Sequence, residues 1–146
     1  MHMERHIKSP DFPLLDDYNH QVMSSQDDTY NCLAFAAHDV KHWWDPTNNR
    51  LYWPEGAPRG QQIENVIITW MRMGYEVCDD GALENGYEKV AFYVQNGKVQ
   101  HATRQTADGK WLSKLGNQED ILHDTVEGLE GPVYGKVSAY VRKRNS

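Results

Sequence analysis

"YEKVAFYVQNGKVQHATRQT", residues 87–106, sets two aromatic and β-branched runs on either side of Asn96-Gly97. Both central residues of a type I′ turn need positive φ, which Asn and Gly reach at low cost. Asn-Gly between apolar runs is therefore the strongest short-range signal for a β-hairpin. Strands are expected over "YEKVAFYV" and "KVQHATRQT". In the second, simple alternation places Val99, His101 and Thr103 on one face, with Gln100 and Ala102 on the other.

Working outward, "ADGK" (107–110) reads as a second turn leading into a strand at "KWLSKL". A short helix is expected over "QEDILHDTVEGL" (118–129), with Asn117 as its cap. The alternation Val133, Gly135, Val137, Ala139, Val141 predicts a last strand in "GPVYGKVSAYVRKR". Upstream, "YEVC" (75–78) reads as a short strand. Ile63, Val66, Ile67, Trp70 and Met71 share one face of a helix over "QQIENVIITWMRMG", which Gly74 stops. A first helix is expected from about Asn31 to Trp44, since Leu33, Ala36, Ala37, Val40 and Trp44 fall at helical spacing. "DPTNNRLYWPEGAPRG" (45–60) joins the helices as a long loop with three prolines. The order predicts an α+β domain over 29–146, its N-terminal helices packed on an antiparallel β-sheet, behind an irregular strap at 1–28.

The chain has 146 residues, enough for a single core. Its formal charge of −6 disfavours phosphate backbones, so no nucleic-acid partner is expected. No apolar run is long enough for a membrane span, and the charged N-terminus lacks a signal-peptide core. With only two cysteines and no disulfide framework, a cytoplasmic location is expected, export without an N-terminal signal aside. No feature sets the oligomeric state.

Chemistry concentrates on Cys32. A free cysteine is often a small buried apolar filler. Yet this one opens the first helix behind the cap residue Asn31, where the helix dipole and free N–H groups lower a thiol's pKa. A cysteine nucleophile needs a base. His38 is about 9 Å along the helix axis and cannot serve. His101 can, if the Cys32 helix packs across its face of the hairpin. A third polar group would orient the imidazole. Ser113, Lys114, Asn117, Gln118, Asp120 and His123 all follow, with Ser113 and Lys114 favoured because adjacent strands bring opposite side chains together. Asn31, Trp44, Trp53 and His123 are candidates for holding substrate; the aromatic loop of Trp43, Trp44, Tyr52 and Trp53 could stack on it. Cys78, beside Asp79 and Asp80, reads as structural. No Cys/His pair has metal-ligand spacing and no glycine-rich phosphate loop occurs, so no metal or cofactor is expected.

"YNCLAFAAHD", "WWDP", "GYEVCDDGALENGYEKVAFYV", "HATRQTADGKWLSKLGNQEDILH" and "YGKVSAYVRKR" together resemble a family of small uncharacterised bacterial proteins, over about residues 30 to 143. More distantly, the order resembles papain-like cysteine hydrolases, including the NlpC and CHAP amidases. That resemblance implies a papain-like fold, Cys32 as nucleophile and His101 as base, with "WLSKLGN" where the orienting residue falls. In an alternative register of the hairpin, the base position falls on Lys89 or Glu88 and His101 matches the third member. The expected activity is cysteine-dependent hydrolysis or acyl transfer at an amide or ester of a peptide, protein or other amide-containing substrate. The alternative is a non-catalytic binding module that uses the aromatic loop.

Overall fold

The computed structural model describes residues 11–16, 18–24, 29–115 and 119–145. The elements run β1 (His20–Val22), α1 (Cys32–Ala36), α2 (Ile63–Arg72), β2 (Glu76–Cys78), β3 (Tyr87–Gln95), β4 (Lys98–Gln105), β5 (Trp111–Lys114), β6 (Asp120–His123) and β7 (Lys136–Arg144), with a 3-10 turn at Val126–Leu129 before β7. The strands form one sheet in the order β1-β6-β5-β4-β3-β7-β2, and every neighbouring pair is antiparallel.

The hairpin is where the sequence places it. Asn96 and Gly97 take φ of 55° and 75°, as a type I′ turn requires. The strand partners depart from simple alternation. Tyr93 faces His101 and Val94 faces Val99, so Gln100 is an extra residue, a β-bulge. The bulge sends Val99 to the same face as Ala102, where both join the cluster built on Trp70 and Phe92. His101 turns to the opposite face, against Tyr93 and Tyr134.

The expected α+β, papain-like architecture of N-terminal helices packed on a sheet is overturned. The fold is β-rich: seven antiparallel strands with two short α-helices among the described residues. Two segments account for the difference. The first helix stops at Ala36 instead of reaching Trp44. His38 adopts φ of 64°, which no helix tolerates. It is held there by Arg104 Nη1 donating to Nδ1 at 2.6 Å, and by its own Nε2–H donating to Glu88 at 2.5 Å. Asp39 then ties a local turn, its carboxylate accepting from the Lys41 and His42 amides and from the Trp44 indole. The second segment is 118–129. Its "DILH" pairs as a strand with β5 on one side and β1 on the other. Asn117 and Gln118 lie outside the described residues. Within the stretch read as an irregular strap, His20–Val22 enters the sheet as that edge strand.

Each face of the sheet has its own core. The two α-helices and the loop carrying Trp44 and Trp53 cover one face, with Trp70 meeting Phe92 edge-on at 5.1 Å. Phe12, Val126 and Leu129 cover the other, over Ala91, Tyr93, Trp111 and Ile121. Asn31 joins the first core to the loop. Its Oδ1 accepts from the Ala34 amide at 3.2 Å and the Trp44 amide at 3.1 Å, and its Nδ2 donates to the Trp44 carbonyl at 2.6 Å.

Replacing Asn31 with Ala removes a cap and strands the Trp44 amide and carbonyl. The expected loss is about 2–3 kcal/mol, read as a lower urea midpoint with unchanged m. Asn31→Asp keeps the acceptor and loses the donor, and should fall between the two.

Candidate active site

Pairing between β4 and β5 covers only Arg104↔Leu112 and Gln105↔Trp111. Beyond them α1 contacts both strands, and the Ala102 amide points to the Cys32 sulfur instead of to a strand. The amides of Leu33 and of Cys32 itself point to the sulfur as well. So the thiol sits beside β4 at Ala102, the residue after His101; Cys32 packs with the helix-covered core, whereas the His101 ring lies on the other face, so the helix does not cross the His101 face as the sequence reading required.

The electrostatics differ from the sequence expectation. A helix of five residues contributes little dipole, and burial dominates. It pushes the Cys32 thiol up to about 11, against the lowering effect of the three amides. Cys32 as a residue is only partly buried, so the dry part is the sulfur end. His101 is wholly buried, and burial, with some help from nearby His123, holds it well below the usual imidazole range. Thiol and imidazole are therefore both neutral at pH 7, not an ion pair. Among the described residues neither ring nitrogen of His101 has a hydrogen-bond partner, Cys32 included. Its ring is held by aromatic faces instead: Tyr134 stacks on it at 4.1 Å and 7°, and Tyr93 packs at 5.2 Å.

The candidate orienting residues are spent elsewhere. Ser113 Oγ lies 2.8 Å from His123 Nε2 and 2.7 Å from Thr103 Oγ1. His123 Nδ1–H donates to the Thr125 carbonyl at 2.8 Å, while the Ser113 hydroxyl donates to Thr103 and Thr103 in turn to the Leu112 carbonyl. This buried chain shares the face of His101 without bonding to it. Lys114 points to the helix-covered face, its Nζ 5.0 Å above the Tyr30 ring, while Tyr30 donates to Asp120 at 2.7 Å. Among the proposed substrate-holding residues, Asn31 is committed to Trp44, and His123 is wholly buried. Trp44 and Trp53 are core residues, edge-to-face at 5.8 Å, and offer no open stacking surface. In the alternative register, Glu88 is bound to His38, and buried Lys89 reaches Asp80 and Glu84. Among the described residues no His, Cys, Asp and Glu cluster could hold a metal ion.

Two contributors escape a sequence reading. The Ala102 amide has no side-chain signal. Tyr134 is marked only by "GPVYG", an aromatic between turn glycines. A cavity of about 770 Å3 borders the same loop, lined by Leu14, Val94, Asn96, Glu130, Gly135 and Lys136; neither Cys32 nor His101 lines it.

Residues 21–142 match the domain of unknown function DUF7689, and the chain belongs to that family. No curated protein and no solved structure matches it. No helix among the described residues is long and apolar enough to cross a membrane.

The buried histidines set a stability profile. Burial lowers His123 to about 4, and His101 also lies far below its free value. Below about pH 6.5 the unfolded chain takes up protons that the folded protein refuses, so stability falls with pH. His123 alone should cost about 2 kcal/mol between pH 7 and 5. Urea midpoints at the two pH values measure the loss, and His123→Gln should flatten the dependence.

Proposed function

We propose that the protein is a cysteine-dependent hydrolase or acyl transferase acting on an amide or ester bond, with Cys32 as nucleophile and His101 as base. The observation that carries the reading is a desolvated thiol faced by three backbone amides, one of them that of Ala102, beside a buried imidazole on the preceding residue, His101, that has no partner at either nitrogen among the described residues. A wholly buried, unbonded histidine is costly for a structural residue and useful for a proton acceptor.

The resting pair is neutral, so proton transfer accompanies attack. Cys32 Sγ forms a bond to the substrate carbonyl carbon as its proton passes to a His101 ring nitrogen. The amides facing the sulfur stabilise its growing negative charge. The tetrahedral centre collapses to a thioester, and the amine or alcohol leaves with the proton from His101. Water, or an acceptor nucleophile, then attacks the thioester; His101 takes its proton and returns it to the Cys32 sulfur. Peptides, proteins and side-chain amides all present the required carbonyl. The binding-module reading loses support because Trp44 and Trp53 are buried.

p-Nitrophenyl acetate tests the chemistry without a known substrate. Wild-type protein should release nitrophenolate and carry an acetyl thioester on Cys32. Cys32→Ala should abolish both, and His101→Ala should slow acylation about 100-fold. Because His101 stays neutral well below its free pKa, the rate should hold level from pH 8 to 6, where an ordinary imidazole base fades. Nitrophenolate release that survives Cys32→Ala would sink the proposal.

A further inference from the structure

We propose that Tyr134 is the positioning residue for His101, its stacked ring doing the work that a hydrogen-bonded third residue does in other cysteine hydrolases. This rests on the reading of Cys32 and His101 as nucleophile and base. An imidazole without hydrogen bonds has nothing polar to fix its rotation about the Cβ–Cγ bond. Here the ring lies in a slot. Tyr134 covers one face at 4.1 Å, within 7° of parallel, and Tyr93 packs against it at 5.2 Å and 55°. Rotation of the imidazole out of that plane would drive it into the Tyr134 ring.

Tyr134 is itself held. Gly131 and Gly135 exchange backbone hydrogen bonds of 3.1 and 2.9 Å, closing the loop around it. Gly135 sits at φ of 77°, and a Cβ there would lie 2.2 Å from the Val94 carbonyl oxygen, so the loop rests directly on the end of β3. Phe12 packs on Tyr134 at 5.2 Å. The loop thus fixes Tyr134, and Tyr134 fixes the plane of His101.

The test is the rate of Cys32 acylation by p-nitrophenyl acetate in wild type, Tyr134→Phe, Tyr134→Leu, His101→Ala and the Leu/Ala double variant. Near-ultraviolet circular dichroism and melting check the fold of each. Tyr134→Phe keeps the flat face and should stay within about twofold of wild type. Tyr134→Leu should lose about tenfold or more, and the double variant should be no slower than His101→Ala alone. Tyr134→Met fills similar space without a flat face and stands in if Tyr134→Leu does not fold. Tyr134→Phe falling as far as Tyr134→Leu would overturn the proposal, since the hydroxyl would then be the active part. Additive losses in the double variant would also overturn it, because Tyr134 would act independently of His101. A full His101→Ala loss with Tyr134→Leu at the wild-type rate rejects the Tyr134 role alone. His101→Ala at the wild-type rate rejects the Cys32–His101 pair, and this proposal with it.

Discussion

Four successive side chains of β3, Val90, Ala91, Phe92 and Tyr93, are wholly buried. Successive side chains in a strand point to opposite faces, so both faces of the sheet must be covered at this point. The rest of the chain is arranged around that demand. The helices and the Trp44–Trp53 loop supply one cover, and the N-terminal segment with the 3-10 turn supplies the other. β3 also pairs on both edges, with β4 and with β7, so none of its backbone is left for solvent along most of its length. A residue placed on either neighbouring strand inherits this dryness. His101, directly opposite Tyr93, is buried for that reason.

Dryness decides the electrostatics of the candidate site. In water, a thiol near an imidazole can exchange its proton to give an ion pair. In a low-dielectric setting both charged forms are penalised, and backbone amides recover only part of the cost. Cys32 and His101 move apart in pKa and stay neutral. This resembles the situation of a serine nucleophile and its histidine, where the proton leaves only as the bond forms.

Local signals in the sequence were sufficient where local geometry decides. The Asn96-Gly97 turn and the α2 stripe ending at Gly74 depend on neighbours a few residues away. The last strand exists, but its expected alternation does not hold: β7 starts at Lys136, and Ser138 is an extra residue against β3, so Val137 faces away from Ala139 and Val141. The sequence failed where distant residues decide. The spacing of Leu33, Ala36, Ala37, Val40 and Trp44 is helical, but Arg104 and Glu88, far along the chain, hold His38 in a conformation that ends the helix. "DILH" is compatible with helix or strand, and the free edges of β5 and β1 settle it. At the site, Cys32 and His101 stand out as residue types with a known chemistry. Tyr134, brought to His101 by a loop on the far side of the sheet order, does not.

The bulge at Gln100 gives the hairpin a parity. Upstream of it β4 counts side chains in one phase, and downstream in the other, so Val99 and Ala102 share a face while His101 is free to take the opposite one. Removing the bulged residue alone would restore simple alternation and leave Val99, His101 and Ala102 on the faces they now hold. Removing a second residue would exchange the two faces along everything on one side of the cut. For this hairpin, tolerance to deletion is thus a question of odd or even before it is one of size.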